Sequence, residues 1–216
     1  MAILNYCPPM TPYLDIVFQD DDILVLNKPS GLLSVPGKEH ADCLHARVQK
    51  VFPTASVVHR LDMATSGLMV MALNKPAHRH ISKQFELRET TKTYQAVVFG
   101  SVQKNSGEIN LPLICDWPNR PKQMVDHEHG KKALTHWRVL ERNNNSTRVE
   151  LTPVTGRSHQ LRVHMLSMQH PILGDGLYAH DQALEMADRL NLHAMSLSFR
   201  HPIGEQILGF KSQIPF

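Results

Sequence analysis

The chain is poor in cysteine: Cys7, Cys43 and Cys115 are the three among 216 residues, widely spaced and without a CxxC pair. An odd, scattered set supports neither a disulfide framework nor a paired-cysteine zinc site, and it fits a reducing, cytoplasmic setting. Long hydrophobic runs are also lacking. The longest, LMVMAL at residues 68–73, is far below the ~20 residues that cross a bilayer, so no membrane span is expected. The amino-terminal MAILNYCPPM has neither a basic stretch nor a long apolar one, and reads as no export signal. GxGxxG, GxxxxGK[ST], GxSxG and HExxH are all absent, which removes the usual sequence grounds for dinucleotide or P-loop binding, a hydrolase nucleophile elbow and a zincin. His127-Glu128-His129 supplies ligand-type side chains, but within HEHGKK they read as an exposed hairpin turn, and no metal is expected. Charge of one sign is in small excess: +3 with a pI near 8.8 is mildly basic, well short of a polybasic binder.

What is present is enough chain for one substantial core. Fourteen histidines add groups that bond to phosphates and bases while neutral. Pro8, Pro9 and Pro12 make residues 1–15 an extended arm lying over the body. Asp20, Asp21 and Asp22 read as a turn, ILVL at 23–26 as a buried strand, and NKPSGLLSVPG at 27–37 as a loop stiffened by two prolines and two glycines. Residues 43–51 predict a short helix, SVV at 56–58 a strand, and LMVMAL a central strand apolar on both faces. Ala77, Ile81 and Phe85 at four-residue spacing predict a helix from about Pro76 to Arg88, followed by a strand over 93–99 closed by Gly100. Further strands are predicted near 108–115, 133–141 and 147–152. A second helix is expected over 158–169, with Ser158 as N-cap and Pro171 just past its end, and strands then flank a short helix near 181–190. Elements mix without a regular βαβ repeat, which argues for an α+β fold around a mixed, mainly antiparallel sheet, in one domain spanning 1–216.

The stretch HRLDMATSG at 59–67 raises the functional question, because Asp62 is either a turn-former or a reagent. In an extended segment residues two apart share a side, so Arg60 and Asp62 are expected to emerge together from a strand end. An adjacent arginine favours the anionic carboxylate, which suits a nucleophile and not a general acid. Ala64, Thr65, Ser66 and Gly67 leave space beside it, and spacing does not say for what. Glycosidase chemistry needs a second, facing carboxylate, which the sequence does not identify. The basic run from Lys75 to Lys92 reads as a solvated helix face. Residues 151–174 contain no acid but hold Arg157, His159, Arg162, His164 and His170, and Thr155-Gly156-Arg157 turns directly into a helix N-terminus, where free N–H groups favour an anion. CDWPNRPKQMV at 115–125 combines Trp117, Arg120 and Lys122 with stiffening prolines. It reads either as a stacking and phosphate-contact surface for looped RNA or as a proline-rich loop with a partly buried tryptophan.

HRLDMATSGLMVMAL resembles the central motif of the RluA family of pseudouridine synthases, NKPSGLLSVPG the family's first motif, and LTPVTGRSHQLRVHM with HPILGD its third block. The patches keep the family's order over about 24–200, and CDWPNRPKQMV resembles the dual-specificity subgroup acting on 23S ribosomal RNA and transfer RNA. The resemblance implies the pseudouridine synthase fold with a central cleft, and an isomerisation of uridine that needs no cofactor. It places the essential aspartate on Asp62 and the base-displacing arginine on Arg60. It also places the tyrosine that packs on the uracil on Tyr94, and the arginine that pairs with the aspartate on Arg157. It further implies a member without the S4-type amino-terminal RNA-binding domain of many relatives, with selection left to the body and its insert at 103–132. RNA stem-loops are the expected partner; neither a membrane nor an obligate protein partner is expected.

Overall fold

A computed structural model describes residues 6–216; the first five residues of the expected arm lie outside the described part. The chain enters through β1 (Ile16–Gln19) and turns at the acidic run, where Asp20 Oδ1 accepts from the N–H groups of Asp22 and Ile23, both at 2.8 Å. β2 (Ile23–Lys28) follows, then α1 (Leu44–Gln49), the two-residue β3 (Ser56–Val57) and β4 (Ser66–Ala72). Every residue of β4 is buried, as its unbroken apolar run predicts for a strand covered on both faces. α2 (Lys75–Leu87) starts where Asn74 accepts from the Ala77 N–H at 2.9 Å, with Pro76 in its first turn, and stops at Arg88 in the left-handed region. Ala77 and Ile81 are buried on one face, Phe85 packs beside them, and Lys75, Arg79, Lys83 and Arg88 are exposed. Up to Arg88 the basic run is the solvated face expected, while Lys92 beyond the helix is partly buried and burial lowers its pKa.

β5 (Thr91–Phe99) leads into β6 (Ser106–Asn110), β7 (Leu113–Cys115), β8 (Gln123–Val125), β9 (Leu134–Arg142), β10 (Ser146–Pro153), α3 (Gln160–Ser167) and α4 (Asp181–Glu185). The chain closes with β11 (Leu192–Arg200) and β12 (Ile207–Lys211). The single strand expected near 108–115 is two, with Leu111 and Pro112 between them; Pro112 has no N–H to give a ladder.

Two compact units result. One runs up to Lys92 and resumes over Ala194–Pro215, and the other spans Thr93–His193 and takes in Phe216. In the first, β1 pairs with β2, β2 and β3 with β4, and β12 with β11, all antiparallel, around a core of Ile23, Val25, Leu68, Val70, Ile81, Leu197 and Phe199. Gly67 is required there: its φ is +116°, and a Cβ would run into the Ala194 backbone. The arm is strapped down by Arg47, whose buried guanidinium donates to the Asp42 carboxylate and to the carbonyls of Pro9 and Tyr13. In the second unit β5, β10, β9 and β6 pair antiparallel in that order, and β7 with β8 forms a separate hairpin. The fold is α+β with mainly antiparallel pairing, as expected. Among the described residues no helix is long and apolar enough to cross a membrane.

Candidate active site

Asp62 sits in a tight turn, its carbonyl accepting from the Thr65 N–H at 3.1 Å. That turn is clamped from the 27–37 loop on both sides of the aspartate. Ser34 Oγ donates to the Leu61 carbonyl at 2.6 Å and accepts from the Leu61 N–H at 3.1 Å. Beyond Asp62, the Met63 carbonyl accepts from the Gly31 N–H at 2.9 Å and from Lys28 Nζ at 3.0 Å, and Ser30 Oγ donates to the Ala64 carbonyl at 2.7 Å. Lys28 is fully buried and also donates to the carbonyls of Pro29 and Leu32, so its three N–H bonds are matched to three carbonyls. The backbone on both sides of Asp62 is thus held in place by the 27–37 loop.

His59 closes the base of the loop. Its Nε2 accepts the Val70 N–H at 3.0 Å, which assigns the ring proton to Nδ1, and the ring stacks on Phe85 at 4.5 Å. Burial first, and the nearby Lys92 ammonium second, hold its pKa down to about 3, so the ring stays neutral and keeps accepting. The sequence showed nothing of this role. Strand geometry also stops short: β3 ends at Val57 and the chain bends at Val58, so strand alternation does not carry Arg60 and Asp62 to one side. Arg60 is exposed and Asp62 half-buried.

The other two expected site residues lie in the second unit. Tyr94 is on β5 opposite Leu151 of β10, half-buried, and Arg157 is exposed in the turn after β10, with Nε anchored to the Lys132 carbonyl at 3.1 Å. Helix α3 begins later than predicted: its N-cap is His159, in the left-handed region with no side-chain cap bond, not Ser158. The reason is Gln160, whose buried Oε1 accepts from Thr155 Oγ and from the Arg157 N–H, taking a donor expected to face an anion. The acid-free segment 151–174 is mostly interior as well. Arg162 is buried against Asp175 in a two-pronged pair at 2.8 and 2.5 Å, His164 bonds Thr135 and the Leu111 carbonyl, and His170 bonds the Phe99 carbonyl.

The hairpin at 115–125 resolves in favour of exposure: Trp117 is 65% exposed, and the Arg120 guanidinium lies 4.2 Å from its ring centroid. HEHGKK is a turn, capped by Asp126 Oδ1 accepting from the N–H groups of Glu128 and His129. Asp20, Asp22 and His201 do come together as ligand-type groups, but they hydrogen-bond to His201, Asn74 and turn N–H groups as structural members.

Comparison with known proteins decides the family. The profile described as RNA pseudouridylate synthase matches residues 22–167, more than half of the chain. The chain belongs to the RNA pseudouridylate synthase family. It is 53% identical over 219 residues to the dual-specificity RNA pseudouridine synthase RluA of Haemophilus influenzae and, to the same degree, to that of Escherichia coli K12, with both chains wholly covered each time. In structure it is similar to human RNA pseudouridylate synthase domain containing 1, with TM-score 0.81 and 29% identity, covering 97% of this chain and 87% of the other. The human domain containing 4 gives 0.74 and 26%, covering 93% and 88%.

Two consequences of these buried groups, and of the buried His193 on β11, are measurable. Lys28→Met takes a donor from the carbonyls of Pro29, Leu32 and Met63, of which Met63 keeps the Gly31 N–H; partly offset by removing a buried charge, it should cost about 2 kcal/mol in urea unfolding and most of the activity. His59 and His193, held by burial at about 3 and about 4 against an ordinary 6.5, take up protons below pH 6.5 only in the unfolded chain. Stability should therefore be full above pH 6.5 and fall as pH drops toward 4, by about 1 kcal/mol per pH unit for each. Unfolding midpoints from pH 7.5 to 5 check the slope, which His59→Gln should flatten.

Proposed function

We propose that this pseudouridine synthase modifies uridines in stem-loops of both 23S ribosomal RNA and transfer RNA, in the cytoplasm and without a cofactor, with Asp62 as its catalytic carboxylate. The observation that carries the substrate reading is the end-to-end identity with dual-specificity RluA proteins. The reaction breaks N1–C1′, turns the uracil, forms C5–C1′ and moves the C5 proton off the ring while N1 gains one. A stacked base cannot turn, so it leaves the stack at a cost of a few kcal/mol that is smallest in a loop. Asp62 serves this by attacking C1′, by adding to C6 or by taking the 2′ proton; each route uses the same carboxylate on a fixed backbone.

Arg60, exposed at the entrance of the turn, suits displacement of the base and contact with phosphate. Tyr94 offers a flat face for uracil, and Arg157 a planar fork for carboxylate or phosphate oxygens. Exposed Trp117 with Arg120 supports the hairpin as a stacking and phosphate-contact surface, so that selection resides in the catalytic body itself. The test is tritium release from RNA labelled at uracil C5, with product analysis. Tritium released with pseudouridine in the RNA is expected; free uracil would mean hydrolysis, and no release would mean RNA binding without chemistry.

A further inference from the structure

Tyr178 joins two parts of the second unit that the reaction is proposed to use. Its Oη accepts the Gln123 N–H at 2.7 Å, at the first residue of β8, and lies 2.7 Å from Nδ1 of His159. The Gln123 backbone N–H and the His159 ring nitrogen thus meet on one phenolic oxygen. His159 is the left-handed residue that opens α3, two positions after Arg157, and its side chain makes no cap bond. The ring of Tyr178 is itself fixed. The Arg162 guanidinium, paired with Asp175, lies 5.0 Å from its centroid, and Leu113, Ala133, Val163 and Val125 form the apolar cluster around it. One phenolic oxygen on a locked ring thus ties the hairpin bearing Trp117 to the turn bearing Arg157.

We propose that Tyr178 is a positioning residue for RNA: its hydroxyl holds the 113–125 hairpin in register with the 155–159 turn, so that both meet one RNA molecule together. This rests on the reading of the hairpin as an RNA contact. A hairpin of two three-residue strands is marginal alone, so its orientation depends on such ties. Losing the hydroxyl frees the hairpin, lowers the fraction of molecules presenting Trp117 correctly, and weakens binding while leaving the turnover of bound RNA in place.

Tyr178→Phe removes the hydroxyl and keeps the ring. The substrate is total RNA labelled at uracil C5 with tritium, from cells lacking the gene, assayed with wild type, Tyr178→Phe, Trp117→Ala and the double variant. The expected result is an apparent KM raised about tenfold in Tyr178→Phe with kcat within about twofold, and little further rise when Trp117→Ala is added. Hydrogen exchange followed by mass spectrometry gives a second readout without RNA: peptides covering 115–125 should exchange faster in Tyr178→Phe, while those of β9 and β10 do not change. An unchanged KM in Tyr178→Phe beside a raised KM in Trp117→Ala would overturn the tether and leave the hairpin's RNA contact standing. Unchanged KM in both would overturn that contact and the tether's role in RNA binding with it. Strictly additive effects, or a fall in kcat at constant KM, would also overturn the proposal.

Discussion

Asp62→Asn should bind RNA about as well as the wild type and form pseudouridine at least roughly a thousandfold more slowly, below detection in a standard assay. The exchange keeps size and one carbonyl oxygen and removes the negative charge. The loop should survive it, because its position is set by backbone groups of Leu61, Asp62, Met63 and Ala64 held by Ser34, Thr65, Lys28, Gly31 and Ser30. An amide neither attacks C1′ nor takes a proton, so every route proposed for the carboxylate stops at once. Binding by gel shift and tritium release by the same preparation separate the two properties. Near wild-type turnover would remove Asp62 from the chemistry, and loss of binding with loss of fold would show that the carboxylate holds the loop.

Asp175→Asn should be the most destabilising conservative change in the second unit, by about 3–5 kcal/mol. Arg162 is 4% exposed and Asp175 1%, so neutralising the acid strands a guanidinium in the interior. Asp175 Oδ1 also accepts from the N–H groups of Leu177 and Tyr178, and an asparagine can still accept these. The loss is thus mainly that of the charge partner. Against a total stability of about 5–15 kcal/mol this is a large share. Removing both charges, with Arg162→Leu added to Asp175→Asn, should recover part of it, since the stranded cation is then gone. Urea unfolding of the wild type and the two variants measures both numbers; a loss below about 1 kcal/mol in Asp175→Asn would mean that water reaches the pair.

Long, strongly patterned elements were legible from residues alone. β4 announces itself by the apolar run at 68–73, and α2 by Pro76 and the Ala77–Ile81–Phe85 spacing. β1 and β12 were not: each has too few residues to show a period, although each pairs with its neighbour in sequence. Acid-free residues 151–174 looked like a cationic surface because sequence does not show that Arg162 finds the first acid after them, Asp175. Only long-range packing supplies that partner. The clamp on Asp62 was hidden for a similar reason, since Lys28, Ser30 and Ser34 act on carbonyls, which carry no residue identity. His59 and Tyr178 offered no local signal: one acts through a backbone N–H eleven residues on, the other through a hydroxyl. The hairpin tryptophan was left open by sequence, and its exposure is a property of the fold.

The central claim is that this chain converts uridine to pseudouridine in two classes of RNA with Asp62 as the reagent. Its most direct test is carbodiimide-based pseudouridine mapping of 23S ribosomal RNA and transfer RNA from cells without the gene, complemented by the wild type or by Asp62→Asn. The expected result is the loss of specific pseudouridines from both RNA classes, restored by the wild type and not by Asp62→Asn. Restoration by Asp62→Asn, or unchanged maps in both classes without the gene, would contradict it.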